Sequence, residues 1–457
     1  MNFMKKVFYF CHQNIITMRV LSFLSLLLIC ISADAYDFMS DGIYYNIISE
    51  EARTVEVTND GHYLVSNQTY IGDVVIPEKV INNGKTYTVT VIGEWAFSYC
   101  EDLKSIQLPN TVKIIKRCAF SICNSLKSIK IPNSVEIIEN NAFSDCENLL
   151  SVYIPSSVTT IGEGAFSWCE NLLSVVIPSS VNNLASSAFL NCRGLMEIVV
   201  DNDNITYASV DGVLYNKDIS VLIYSPTAKQ TVDVPNTVNS IMANAFFCCM
   251  QLESVHLGNS ITYIGDRAFD NCHNLEQINI PESVKSIGES AFWACGLKTV
   301  KIPASVSYIG RCAFAGCDNL LSITVDKNNQ KFSSIEGLLY DKSISTLLCC
   351  PAGRSEVSVS NKITSIGESA FEGCNKLSSI TIPSKVTTIG DWALSSCENI
   401  KELNCNPTEP PYYKTEDRSI DENVLKTAIL YIPKGSKGVY EKVDPWRNFW
   451  NIKETGN

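Results

Sequence analysis

Cysteine, histidine and clustered aspartate are the side chains of this sequence whose chemistry could matter. The chain holds 19 cysteines and 4 histidines in 457 residues, and thiols and imidazoles in number could bridge, bind a metal or act on a substrate. Their spacing argues for none of these. Beyond residue 35 the histidines are His62, His256 and His273, and none stands in H-E-x-x-H or another metal-ligand spacing. No phosphate-binding loop, dinucleotide fingerprint or G-x-S-x-G is present. Asp201, Asp203 and Asp211 suggest calcium, but Ile205 and Thr206 occupy places where a loop of the EF-hand type needs an oxygen ligand and a glycine. A solvated hairpin fits them better. Cys248-Cys249 and Cys349-Cys350 are adjacent pairs without C-x-x-C spacing, so packing is the better reading for them. The expectation is a chain with no catalytic residue, no metal site and no cofactor, and hence no enzyme.

Eleven of the cysteines obey a rule of their own. Cys100, Cys123, Cys146, Cys169, Cys192, Cys249, Cys272, Cys295, Cys317, Cys374 and Cys397 each follow, three places on, a phenylalanine of an Ala-Phe pair or, in the last copy, Leu394. From Phe97 to Phe189 the pairs recur every 23 residues. A period of 20–29 residues with spaced leucines marks a leucine-rich solenoid. The cysteines then stack as a ladder of small buried groups. Neighbouring coils lie about 5 Å apart, within reach of a disulfide, but parallel side-chain vectors disfavour its dihedral angle. Buried free thiols are therefore expected, and the 17 cysteines beyond residue 35 are in any case an odd number.

The coil itself reads roughly L-x-S-I-x-I-P-x-S-V-x-x-I-G-x-x-A-F-x-x-C, as in Leu126 to Cys146. Alternation sends Ile129 and Ile131 inward and Ser128 and Lys130 outward, as a short strand requires, and Pro132 ends that strand. Ile161-Gly162 reads as a turn, and Ala165-Phe166 puts one small and one large side chain of each coil into a continuous core. Asn148, Asn171, Asn274 and Asn319 follow the ladder cysteine by two places and are suited to satisfy backbone groups.

Two breaks interrupt the period. Phe189 to Phe246 and Phe314 to Phe371 are each 57 residues, one coil plus 34. The inserted segments correspond at an offset of 125, Asp211-Gly212-Val213-Leu214-Tyr215 matching Glu336-Gly337-Leu338-Leu339-Tyr340. Each reads as a β-hairpin projecting from the solenoid. Because a solenoid has two raw apolar ends, residues 36–90 are expected to form a β-rich N-terminal cap and residues 406–457 a C-terminal cap, where Trp446, Phe449 and Trp450 can cover the last coil. The repeats occupy 91–405, with insertions at about 201–234 and 326–359. The expected architecture is a leucine-rich repeat solenoid, a β-rich right-handed superhelix with short helical turns, two hairpin insertions and terminal caps.

Arg19, the apolar run Val20 to Ser32 and Ala33-Asp34-Ala35 read as a signal peptide over residues 1–35, with translation starting at Met1 or Met18. Cys30 raises lipidation as an alternative, although the bulky Ile29 before it is unfavourable. An exported chain, at the cell surface or extracellular, is expected, and no later segment is apolar enough to span a membrane. The full chain has 36 basic and 48 acidic residues, a net charge of −12. This balance speaks against nucleic acid as a partner, because that contact needs a basic footprint.

The I-P-x-S-V-x-x-I-G-x-x-A-F-x-x-C unit, over residues 70–405, resembles the BspA-type leucine-rich repeat of bacterial, notably Bacteroidetes, surface proteins. The Tyr36-Asp37-Phe38 opening, the Asp-Gly-Val-Leu-Tyr insertion and Ile432-Pro433-Lys434-Gly435-Ser436 are similar to secreted gut members. That resemblance implies a secreted or cell-surface protein binding host or bacterial macromolecules, with adhesion through an extracellular protein or glycoprotein ligand the usual assignment. It carries over no catalytic residue, and it leaves self-association open.

A ligand would be read by the outward strand positions, which run Gln107, Lys130, Tyr153, Val176, Val199 and then His256 to Thr381. Tyr153, Val176 and Val199 are apolar in three consecutive coils, and Leu150, Leu173 and Met196 are apolar where other coils place Lys104, Lys127 or Lys298. A hydrophobic contact patch is one reading. The other is that valine and tyrosine suit strands, or that the hairpin covers them. Trp168 is a further candidate. A glycan- or mucin-capture module is the alternative function, with Tyr153, Trp168, Tyr412 or Tyr413 stacking on sugar rings.

Overall fold

A chain whose inward residues recur every 23 positions can satisfy its backbone only by bonding each coil to the next, and three separate ladders do this in the computed structural model. It describes residues 36–61, 70–413 and 420–455. The expected leader, with Met1, Met18 and Cys30, lies outside the described residues, as does His62. About 16 turns build a β-solenoid with very little helix. Among the described residues helix is confined to Glu422–Thr427, Lys437–Tyr440 and a single 3-10 turn at Trp446–Asn448, all near the C-terminus.

The first ladder joins the expected outer strands in parallel. Ser128 pairs with Ser151 and Lys130 with Tyr153, and Val176 pairs with Val199. Ile129 and Ile131 are buried and Ser128 and Lys130 exposed, as the alternation requires. The second ladder went unrecognised in the sequence. Ile114–Ile115, Ile137–Ile138, Thr160–Ile161 and Asn183–Leu184 are two-residue strands in one parallel sheet. Ile161 therefore ends a strand, and Gly162 is required by close approach, since a Cβ there would lie 2.6 Å from the Asn140 amide nitrogen.

The third ladder is the arc around Ala-Phe. Phe166 N–H donates to Ala188 O at 2.8 Å and Trp168 N–H to Leu190 O at 2.9 Å. To aim these donors along the axis the arc uses left-handed residues, Asn141 and Asp145 in one coil and Gly164 and Trp168 in the next. A non-glycine residue there costs of order 1–2 kcal/mol, offset by the bonds to the neighbouring coils. Inside the arc Phe97, Phe120, Phe143, Phe166 and Phe189 stack with centroids 5.0–5.6 Å apart and planes within 9°. Phe246 to Phe314 repeat the arrangement.

Two further letters of the unit bond from coil to coil. The serine of I-P-x-S-V donates to the preceding coil, Ser157 Oγ to Val135 O at 2.7 Å and Ser180 Oγ to Val158 O at 2.6 Å. The ladder thiols are bonded rather than merely packed. Cys146 Sγ donates to Phe120 O at 3.1 Å and Cys169 Sγ to Phe143 O at 3.2 Å. All 17 described cysteines are free.

The insertions do not project. Tyr207–Val210, Val213–Asn216 and Val221–Tyr224 form an antiparallel meander whose last strand pairs in parallel with Ser240–Ile241, so it continues the second ladder. Leu214, Ile223 and Tyr224 pack into the core before it, while Val213, Tyr215 and Leu222 pack into the core after it. The insertion is a wall with two buried faces, which is why its strands are apolar at successive positions. Phe332–Ile335, Leu338–Asp341 and Thr346–Cys349 build the second wall. The N-terminal segment starts alike, with Phe38–Ser40 and Ile43–Ser49 joined through Asp41-Gly42. Asp41-Gly42, Asp211-Gly212 and Glu336-Gly337 all have positive φ at both residues, the geometry of a type I′ hairpin turn.

At the other end Trp446 is fully buried and its indole N–H donates to Pro411 O at 2.9 Å, and Tyr440 OH donates to Pro407 O at 2.7 Å. Phe449 is buried with them. Trp450, expected to help cover the last coil, is 73% exposed; it stands beside Lys426 instead. Replacing Phe166 by alanine is expected to lower stability by about 3–5 kcal/mol through lost transfer and cavity terms. Chemical denaturation of residues 36–457 measures this, and an unchanged midpoint would place Phe166 outside the core.

Candidate binding surface

Parallel register turns one outward position per coil into a row along the solenoid, so a substitution repeated in consecutive coils becomes a continuous feature. Lys113 pairs with Glu136 at 2.9 Å, Arg193 with Glu170 at 3.2 Å and Lys298 with Glu276 at 2.5 Å, each across neighbouring coils. In three coils two rows are apolar, flanking an exposed polar row of Ser151, Ser174 and Glu197. Leu150, Leu173 and Met196 are 48%, 52% and 61% exposed, and Tyr153, Val176 and Val199 are 55%, 58% and 40% exposed. Leu173 N–H donates to Leu150 O and Met196 N–H to Leu173 O, which fixes the first row as direct neighbours. Six apolar side chains thus face solvent as a block three coils long.

The first insertion closes the edge of this sheet without covering its face. Ile198 N–H donates to Gly212 O at 2.9 Å and Val200 N–H to Ser209 Oγ at 3.0 Å. Gly212 is needed there, because a Cβ would lie 2.7 Å from that of Glu197. The second insertion repeats the closure on Ile323 and Val325. The apolar block is not repeated with it: of the equivalent positions, Lys298, Lys301 and Thr324 are polar and only Leu321 is apolar.

The remaining candidates lie elsewhere. Trp168 belongs to the turn arc, not to the outer rows; it is half-buried, with the Arg193 guanidinium 6.0 Å from its ring centroid. Tyr412 is exposed on the second ladder, whereas Tyr413 is buried. His256 Nδ1 meets Asp233 Oδ1 at 2.6 Å on exposed outer strands. His273 Nδ1 meets Ala294 O at 2.8 Å, and burial pulls its pKa down. Asp201 Oδ1 accepts the Asp203 N–H within its own turn, and among the described residues no cluster suited to a metal forms. Asn148 and Asn171 donate to Asn124 O and Glu147 O of the preceding coil, both at 2.9 Å.

Sequence reasoning missed Asn204 and Asn329. Each is fully buried at the entrance of an insertion. Asn204 Nδ2 donates to Pro178 O and Val181 O while its Oδ1 accepts from Thr206 and Tyr207 N–H, all at 2.8–2.9 Å. Asn329 repeats these four bonds. The signal was the shared asparagine three places after Asp201 and Asp326 in the copies offset by 125.

Stacked parallel coils, a leucine and a phenylalanine in nearly every coil, and an outer face of short parallel strands define a leucine-rich repeat solenoid. The chain belongs to the family of BspA type leucine rich repeat regions, whose model matches residues 90–210, 217–338 and 342–417. A leucine-rich repeat protein from Bacteroides ovatus is 26% identical, covering 92% of this chain and 100% of that one, with a TM-score of 0.52. The pneumococcal vaccine antigen PcpA, at 21% identity over 93% of this chain and 100% of its own, shares the fold with a TM-score of 0.56. No curated protein matches significantly.

Burial pushes the thiols out of their reactive range, Cys100 to about 11 and Cys118, Cys192 and Cys312 to about 12. The native protein is thus expected to react slowly with a thiol reagent at pH 8, and to release 17 thiols per residue 36–457 chain once unfolded without reductant. A titre lower by pairs would establish disulfides and overturn the thiol ladder.

Proposed function

We propose that the chain is an exported, non-enzymatic surface protein that binds an extracellular protein or glycoprotein. Its site is the block formed by Tyr153, Val176 and Val199 with Leu150, Leu173 and Met196. The observation that carries this reading is the exposure of all six on the outer face of three consecutive coils, the last of which has its edge closed by the insertion. An isolated outward valine would need no explanation, whereas six apolar side chains in two rows, three coils long and separated by the polar row of Ser151, Ser174 and Glu197, offer apolar area that a partner can desolvate. Tyr153 supplies the large amphipathic side chain on which interface energy tends to concentrate. Lys127 and Lys130 in the preceding coil and Glu197 within the block are exposed and give it a polar border. Membership of the BspA-type family supports a role in binding at a cell surface, and an acidic chain is better suited to a protein partner than to a nucleic acid.

Glycan capture is the second reading, supported by the open ring faces of Tyr153 and Tyr412. Biosensor binding of residues 36–457 to extracellular-matrix, mucin and bacterial-surface components tests both. Changing Tyr153, Val176 and Val199 to serine is expected to weaken specific binding at least about tenfold while leaving the melting temperature essentially unchanged. Binding that survives the triple change would remove the site from this block. Competition by free oligosaccharide at constant protein would favour the glycan reading.

A further inference from the structure

The two insertion walls differ at one place in a way that leaves a shaped hole. In the first wall Tyr224 lies between the coils of Phe189 and Phe246, fully buried, and its hydroxyl donates to Phe189 O at 2.7 Å. That carbonyl is the equivalent of the ones that ladder thiols bond elsewhere, so the phenol stands in for a missing coil: its ring fills the core and its hydroxyl replaces the thiol. Thr227 Oγ1 makes a companion bond to Cys192 O. At the offset of 125 the segment Tyr224-Ser225-Pro226-Thr227 becomes Cys349-Cys350-Pro351-Ala352. The second wall has lost both hydroxyls and the ring.

A pocket of about 160 Å³, partly open to solvent, occurs at this junction, bordered by Phe314, Leu339, Leu348 and Cys349 and, among its polar lining, by Cys312 and Glu368. Among the described residues no hydroxyl or thiol reaches Phe314 O; the Cys349 thiol instead points to Cys350 O at 3.7 Å. We infer that this cavity is a binding site for a small monocyclic phenol, whose ring takes the place that Tyr224 fills in the first wall and whose hydroxyl donates to the Phe314 carbonyl. The volume suits one ring and no more: an apolar cavity of about 150 Å³ takes up benzene. A peptide segment does not fit. Neutral ligands are favoured, because the charged groups in the lining, Arg311 and Glu368, already pair with each other. Arg311, at the border, is already held by Glu289 and Glu368, each at 2.5 Å, so it offers an anion no free charge.

The test is titration of the chain from residue 36 with p-cresol, the tyrosine side chain as a free molecule, followed by calorimetry and by the melting temperature. Wild type is expected to bind one equivalent with a saturable rise in melting temperature, and toluene, lacking the hydroxyl, to bind about fivefold more weakly, the worth of one net hydrogen bond. Cys349→Tyr is expected to fill the hole, abolish p-cresol binding and melt higher than wild type. Should that variant fail to fold, Cys349→Leu serves as a smaller filler with the same readout. The reciprocal Tyr224→Cys is expected to add a second equivalent. No saturable binding to wild type, or binding undiminished by a folded Cys349 filler, would overturn the assignment.

Discussion

The spacing between successive coils, set by parallel backbone hydrogen bonds at about 4.8 Å, is the constraint to which every other feature answers. Three ladders around each coil enforce it, so no side chain inside can change the distance; it can only suit it. Phenylalanine suits it because rings stacked along the axis with centroids near 5.0 Å are in contact without being compressed. Cysteine suits it because its thiol reaches one coil back to a phenylalanine carbonyl, from Cys123 to Phe97 and again from Cys146 to Phe120. A valine at that place would pack but would leave the carbonyl bound only within its own coil. The serine of I-P-x-S-V answers the same demand on the opposite side of the core.

Such a stack has no internal reason to stop, and its ends expose apolar residues and unpaired backbone. The protein meets this problem three times with one device: an antiparallel meander opened by a type I′ turn, at Asp41-Gly42, Asp211-Gly212 and Glu336-Gly337. At the first it begins the stack. At the other two it is built into the stack, with apolar side chains on both faces, and the solenoid becomes three cores separated by sheets. Asn204 and Asn329 secure the entrances by satisfying with one side chain four backbone groups that the interrupted ladder would otherwise strand, at a site where each unsatisfied group would cost about 1–3 kcal/mol.

How much of this could be read from the residues depends on whether a feature leaves a periodic trace. Phe97, Cys100 and their successors recur on one period, and Ser128-Ile129-Lys130-Ile131 alternates, so the solenoid, the buried ladder and the outward rows were legible. The second ladder was not, because a two-residue strand such as Thr160–Ile161 is too short to alternate. Leu214-Tyr215 and Leu222-Ile223-Tyr224 suggest a projecting hairpin by their spacing, while their being apolar on both faces is the sign of a wall. Asn204 was hidden among polar turn residues. Left-handed Trp168 carried no sequence sign at all: its conformation comes from the neighbouring coil, to which its amide is bonded.

A periodic scaffold also decides where specificity can reside. Residues that recur in every coil belong to the stack; a ligand that read only those could not tell one coil from another. Information for recognition must lie where the coils depart from their own rule. The outer rows depart at Leu150, Leu173 and Met196 with Tyr153, Val176 and Val199, and the copy offset by 125 does not repeat the change, having Lys298, Lys301 and Thr324 instead. The two blocks that correspond at an offset of 125 present equivalent faces, and only one is apolar. Both sheets have the same parallel pairing and the same closed edge, so the difference lies on the solvent side.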